Sequence, residues 1–481
     1  MRLSKLAFKN ISWASASQIG RQIIQYSTTL VLVYNLDPKD FGLMALAIMI
    51  VNFLEVFKDL GTGAAIIQKP DISEKFLSSV FWTNIIIGFT VALIMIFISN
   101  LAGYFFHNYQ LPDVLKVMSL AFIVSSFGIT NRSLLQKEHK FKYISISEIM
   151  ASIFGAITAI LLAINGFGVW ALVFQSLVSI SITTILSWWF YRWRPQLFFN
   201  MVEIKKISKF SLNQTGYNTA NYFARNLDYF LIGKFLGDYY LGHYYLAYRL
   251  MLYPVQNISA VVSKVMYPIF SSIQNDNNRF RRIYLKISGV VAGIAFPMIV
   301  GLAILSKPFV ETFFSKQWNE ELLVMLIVVL APVGIMQSLT SLTGNIYQAK
   351  GRTDLMFGWG IATAILSAIA FYIGLNWGVV GVAVAYLIIT SLWNYHCFAI
   401  PFKLIGLKFY NLIETIVKSL LITFIMAIIV YGSYAMIFYN ISSLIALIIS
   451  CLMGIIVYLI FQWKFNPGQL QEIRTIMISS K

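Results

Sequence analysis

The chain has 481 residues, 58% of them hydrophobic and only 11% charged, with a mean hydropathy of +0.74. Thirty-six Lys and Arg face 19 Asp and Glu, a net charge of +17. A soluble domain is about a quarter charged and a disordered chain is poor in apolar residues, so both classes are excluded. Nucleic-acid-binding proteins share the basic balance but are not this apolar. What remains is an all-α polytopic membrane protein.

Met1 to Asn10 is basic and amphipathic, and no cleavage pattern follows it, so no signal peptide is expected. Apolar runs of about 20 residues then recur, each enough to cross a ~30 Å hydrocarbon core. They predict 14 transmembrane helices: 10–33, 41–67, 78–105, 113–135, 144–164, 168–191, 208–233, 240–269, 284–306, 321–347, 355–375, 379–401, 410–437 and 442–463. With the N-terminus inside, 25 Lys and Arg fall on the cytoplasmic side, among them Arg132, Lys137, Lys140 and Lys142. Only Lys39, Lys234, Lys307 and Lys316 fall outside. The positive-inside rule therefore places both termini in the cytoplasm. The seven remaining cations lie within the spans: Arg21, Lys58, Lys116, Arg225, Arg249, Lys264 and Lys418. Lys116 and Lys418 sit near span ends and can snorkel.

The first span carries Ser15, Gln18, Arg21, Gln22, Gln25, Thr28 and Thr29 on one helical face. The second carries Asn52, Glu55, Lys58 and Asp59, with the three charges on one face. Two readings of that triad stand side by side. One is a self-neutralising structural set, at a span end broken by Gly61 and Gly63; the other is carboxylates that take a coupling proton or cation. The seventh span carries Asn218, Asn221, Arg225 and Asp228 on one face, and Arg225 and Asp228 suit a structural pair. The eighth carries Arg249, Tyr253, Asn257 and Lys264 on one face, interrupted by Pro254, with Pro297 and Pro332 as further kink candidates.

The halves resemble each other. Leu36, Gly42 and Leu46-Ala47 recur as Leu236, Gly242 and Leu246-Ala247, an offset of 200 residues. Asn165-Gly-Phe-Gly-Val169 matches Asn376-Trp-Gly-Val-Val380 at an offset of about 211. The expected organisation is an N-terminal six-helix bundle over 1–200 and a repeat of it over 201–405. Residues 406–481 then hold two further transmembrane helices and a cytoplasmic tail. Six is even, so the units are parallel, with a site between them near mid-depth. The polar stripes of the first and seventh spans coincide under the 200-residue offset. Polar helix packing explains the Ser, Thr, Asn and Gln residues. Arginines demand water or a partner, which favours a central hydrated cavity.

Arg21, Arg225, Arg249 and Lys264 give that cavity surplus positive charge, suited to an anion such as phosphate. Gln18, Gln25, Asn218, Asn221 and Asn257 are its expected polar lining, and Glu55, Asp59 and Asp228 are candidates for ion coupling. Scattered histidines and two cysteines in apolar runs carry no metal-ligand spacing, so no metal or cofactor and no catalytic residue is expected. There is no GxxxxGK[ST] loop for ATP.

A set of local sequences carries a resemblance. It comprises Ser17-Gln-Ile-Gly-Arg-Gln22, Leu36-Asp-Pro-Lys-Asp-Phe-Gly42, Asp59-Leu-Gly-Thr-Gly-Ala-Ala-Ile-Ile-Gln68, Phe81-Trp-Thr-Asn84, Gly166-Phe-Gly-Val-Trp-Ala171, Arg225-Asn-Leu-Asp228, Ala247-Tyr-Arg249 and Gly351-Arg-Thr-Asp354. In order and spacing they resemble the polysaccharide-repeat-unit flippases of the multidrug/oligosaccharidyl-lipid/polysaccharide exporter superfamily, in its colanic-acid-exporter-like branch. The likeness covers about 1–405. It implies 14 spans, two bundles around a central cavity, and alternating access driven by an ion gradient. It implies a non-enzymatic transporter of polyprenyl-diphosphate-linked oligosaccharides for capsule, O-antigen or exopolysaccharide, in the inner membrane. Expected partners are that lipid-linked substrate, the bilayer, H+ or Na+, and a polysaccharide polymerase with chain-length-control machinery; nucleic acid is not among them. Three alternatives stand beside it: a drug or cation exporter, a lipid-II-type flippase, and an integral-membrane polymerase or ligase. The first calls for an acidic cavity, and the last for a large external loop, of which 307–320 is a thin version.

Overall fold

In the computed structural model every described element is a helix. The structure describes residues 2–58, 62–68, 72–201, 222, 226–438 and 441–469, with side chains from Ser17 onward except at 64, 65, 68, 254, 256–269, 353, 437 and 438. The chain forms two compact units, Met1–Gly242 and His243–Lys481. Among the described residues, ten helical stretches are long and apolar enough to cross a membrane. One of them, Asp354–Ile405, is 52 residues long and contains two helices. The protein is a multi-pass membrane protein.

The first unit holds α1 (Arg2–Asn35), α2 (Pro38–Lys58), α3 (Thr62–Gln68), α4 (Glu74–Phe106), α5 (Leu111–Met118), α6 (Leu120–Lys137), α7 (Phe141–Ile164) and α8 (Trp170–Phe190). Each boundary has a local cause. Pro38 begins α2, where its missing N–H costs nothing. The second expected span is described as α2 to Lys58 and α3 from Thr62. Ser73 Oγ accepts from Phe76 N at 3.2 Å and caps α4. Neighbouring helices meet at small residues, as close packing in a membrane requires. A Cβ on Gly155 of α7 would stand 2.2 Å from Ser179 Oγ of α8, and that hydroxyl donates to Ala151 O at 3.1 Å. Gly42 is similarly constrained, since a Cβ there would lie 1.8 Å from Asp238 O.

After α8 the chain straps across the start of α4. Trp193 Nε1 donates to Glu74 at 2.7 Å, and Gln196 N to Ser78 Oγ at 3.0 Å. Phe81 sits among the rings of Trp82, Phe127, Trp188 and Trp193, all within 6.2 Å. The strap so ties the end of α8 to the same side of the unit as the ends of α2 and α6.

The second unit holds most of α9 (Asp238–Ser272), then α10 (Asn277–Ile304), α11 (Ser306–Phe313), α12 (Glu320–Thr340), α13 (Thr343–Ala349), α14 (Thr353–Gly374), α15 (Gly378–Ile405), α16 (Phe409–Ser433) and α17 (Ser443–Phe465). Its core stacks Phe270 on Phe280 at 4.3 Å, with Tyr284, Phe398 and Phe402 around them. α16 and α17 pack against α10 and α11. Gln469, beyond α17, is 6% exposed and plugs the joint. Its Nε2 donates to Gly289 O, and its Oε1 accepts from Ser419 at 2.8 Å and Asn466 at 2.6 Å. Ile448, Leu452, Ile455, Ile456 and Leu459 leave one face of α17 exposed, an apolar stripe fit for lipid.

Candidate functional site

Three charged residues of the first unit line a cavity of about 350 Å3. α2 supplies Glu55 and Lys58, α6 supplies Ser125 and Arg132, and α8 supplies Thr183 and Ser187. Lys58 is 5% exposed, and a buried ammonium is costly unless it finds partners. It donates to Ser125 Oγ at 2.7 Å, stands 3.4 Å from Glu55 Oε1, and lies 5.7 Å from the Phe122 ring centre. The i, i+3 spacing that put Glu55 and Lys58 on one face thus becomes a contact.

Arg132 lines the same cavity and continues the network away from it. Its Nη2 donates to Glu148 Oε1 at 2.5 Å. The other oxygen of Glu148 is 3.5 Å from Arg21 Nη2 on α1. Arg21 also donates to Gln18, and its Nε is buried without a hydrogen-bond partner. Glu148, in the second turn of α7, is therefore held between two guanidinium groups from α1 and α6. Three cations face two carboxylates in this cluster, and the surplus favours an anionic guest.

Of the residues singled out from sequence, Arg21, Gln18 and Glu55 are in or beside this cluster. Gln25 is exposed on α1, where its carbonyl accepts from Thr29 Oγ1 at 2.7 Å. Asp228 is 4% exposed, and its Oδ1 accepts from Tyr229 N at 2.9 Å. Arg249 belongs to the second unit and donates to Tyr245 OH at 3.1 Å. Asp59, Asn218, Asn221 and Arg225 lie outside the described residues, as do the side chains of Asn257 and Lys264.

Sequence reasoning missed Arg132 and Glu148. Arg132 was absorbed into the cytoplasmic charge count. Glu148 had a usable signal: it is a carboxylate inside the apolar fifth span, and ionisable groups there are functional candidates by default. The second unit has a neutral counterpart. Gln337 Nε2 donates to Tyr386 OH at 2.6 Å, and Tyr248 OH lies 3.3 Å from the same hydroxyl.

The matches with known proteins agree with the sequence resemblance. Over 399 residues the chain is 27% identical to the lipopolysaccharide biosynthesis protein WzxC of Escherichia coli strain K12, covering 81% of this chain and 79% of that one. It is 28% identical to the teichuronic acid biosynthesis protein TuaB of Bacillus subtilis strain 168, covering 84% and 82%. It is 26% identical to the succinoglycan biosynthesis transport protein ExoT of Rhizobium meliloti strain 1021, covering 76% and 74%. The fold resembles the inward closed conformation of the lipid II flippase MurJ, with TM-score 0.75 and 18% identity over 96% of this chain and all of that one. It also resembles an inward-facing MATE family transporter, with TM-score 0.64 and 16% identity over 80% and 94%. A family model described as polysaccharide biosynthesis protein matches residues 31–323, more than half of the length, and the chain belongs to that family.

Proposed function

We propose that this protein carries polyprenyl-diphosphate-linked oligosaccharide repeat units across the cytoplasmic membrane for polysaccharide assembly. The observation that carries this reading is the surplus of cations inside an apolar unit: Arg21, Arg132 and Lys58 against Glu148 and Glu55. The relatives serve lipopolysaccharide, teichuronic acid and succinoglycan synthesis. A diphosphate linkage is an anion that would dock on arginine whatever sugars follow it, through bidentate charge-assisted hydrogen bonds. Family membership and the transporter folds of the solved neighbours support transport rather than catalysis.

The finer reading has 14 spans, both termini in the cytoplasm, and two six-helix bundles with two additional helices. A central cavity carries Arg21, Arg225, Arg249 and Lys264, alternates in access, and is coupled to an H+ or Na+ gradient through Glu55, Asp59 or Asp228. Arg21→Ala and Arg225→Ala should each abolish surface polysaccharide in cells while membrane levels of the protein stay normal. Normal export by the single variants and by the double variant would overturn the cationic-cavity mechanism. Flipping in vesicles should slow when the proton or sodium gradient is collapsed, and full activity without either removes the coupling.

A further inference from the structure

We propose that the cavity inside the first unit is an anion site of its own, which takes a diphosphate group on Lys58 and Arg132 by displacing Glu148 from Arg132. This inference rests on the transport reading above and adds a docking place that the central cavity does not include. Lys58 is the last described residue of α2, Arg132 lies in the last two turns of α6, and Ser187 in the last turn of α8. Under the charge-derived topology these ends face the cytoplasm, where a lipid-linked diphosphate is made available. The C-terminal end of α6 favours a cation, which adds to what Glu148 contributes at Arg132. At 350 Å3 the cavity has room for on the order of ten waters, and so for a hydrated phosphate group.

The donors are there to receive it. Lys58 Nζ has three protons; one is used at 2.7 Å and a second faces an oxygen at 3.4 Å, a long contact. Arg132 has five N–H groups, and among the described residues its acceptor is Glu148 alone on the carboxylate side. The hydroxyls of Ser125, Thr183 and Ser187 complete the wall. Glu148 presents to Arg132 and Arg21 the two oxygens that a phosphate would present. It neutralises two guanidinium groups that would otherwise face each other in an apolar surround. A diphosphate carries more negative charge than one carboxylate and bridges from Arg132 to Lys58, which Glu148 does not reach. Glu148 then remains with Arg21.

The test uses the full-length protein in lipid nanodiscs with two probes, inorganic pyrophosphate and a prenyl diphosphate supplied in the nanodisc lipid. Glu148→Gln keeps the shape and removes the competing charge, so both probes should bind more tightly. Lys58→Gln and Arg132→Gln should each weaken binding about tenfold or more, the scale of one lost charge-assisted hydrogen bond. Preference for the prenyl form over pyrophosphate identifies the lipid headgroup as the natural guest, and equal affinity identifies a free diphosphate. Binding unchanged in both cation variants, or no binding by the wild-type protein, overturns the site. Weaker binding by Glu148→Gln overturns the displacement and leaves Glu148 as a staple between α1, α6 and α7. These outcomes separate from the transport reading, which is judged by export in cells. A protein that needs Arg21 for export but binds diphosphate without Lys58 and Arg132 keeps its function and loses this site.

Discussion

The two units solve the same problem, polar groups in an apolar surround, with different chemistry. The first uses charge: Lys58 and Asp228 are 5% and 4% exposed, and Arg21, Glu148 and Arg132 form a chain of ion pairs. Among the described residues of the second unit, the buried polar side chains are Ser, Thr, Asn, Gln and a His. Its His243 Nε2 accepts from Asn319 N at 3.1 Å, as a neutral imidazole does. Two ion pairs among its described residues, Lys307–Glu311 and Arg352–Asp354, sit at helix starts in more exposed positions. A neutral network holds helices together without attracting ions. A charged one does both, and its excess charge is available to a ligand. Among the described residues, the excess of cations over carboxylates gathers in the first unit's cluster, and the buried polar side chains of the second are neutral.

The largest effect should follow from breaking the ionic chain. Glu148→Ala leaves Arg21 and Arg132 facing one another. An uncompensated buried charge costs about 3–5 kcal/mol, and here the cations are 35% and 40% exposed, so screening lowers this to about 2 kcal/mol. Thermal unfolding in detergent measures it, and a loss below about 0.5 kcal/mol would mean that the pairs carry no weight. The neutral joint of the second unit comes next. Gln469→Ala leaves partners at Gly289, Ser419 and Asn466, and should cost about 1–2 kcal/mol. Unlike Glu148→Ala, that loss should not change with salt, since no ion pair is involved. Gln337→Ala breaks one bond to Tyr386 and one longer contact to Tyr248, and about 1 kcal/mol is expected. A salt-dependent loss at Gln469 or Gln337 would blur the distinction between the units.

Much of this was legible in the sequence because membrane structure leaves strong periodic marks. Among the described residues the apolar runs are helices, Glu55 lines the charged cavity, and Arg21 reaches its wall through Glu148 and Arg132. Periodicity identifies a face but not the partner opposite it. Arg132 and Glu148 are 16 residues apart across the turn between α6 and α7, and a count of loop charges assigns Arg132 to topology. Gln469 was hidden for a similar reason. It follows the last span in a stretch without pattern, and only the tertiary fold brings Gly289 and Ser419 to it. Arg249 stands out in the sequence as a charge within a span, and its hydrogen bond to Tyr245 one turn away is not visible to a charge count.

The smallest effect tests the rule that exposed charge matters least. Glu138, in the turn between α6 and α7, pairs with Lys140 at 2.7 Å and accepts from Tyr191 OH. The Lys140 ammonium, then the Tyr191 hydroxyl, hold its carboxyl below the ordinary 4.5. A carboxyl depressed in the folded state stabilises it above the unfolded value, and the contribution is lost as pH falls through the folded value. Both side chains are about two-fifths exposed, so the gain is below about 1 kcal/mol. Glu138→Gln should thus melt slightly below wild type at neutral pH, with the gap closing as pH falls below the ordinary 4.5. A gap as large as that of Glu148→Ala, or one that persists in acid, would show that burial does not rank these two glutamates.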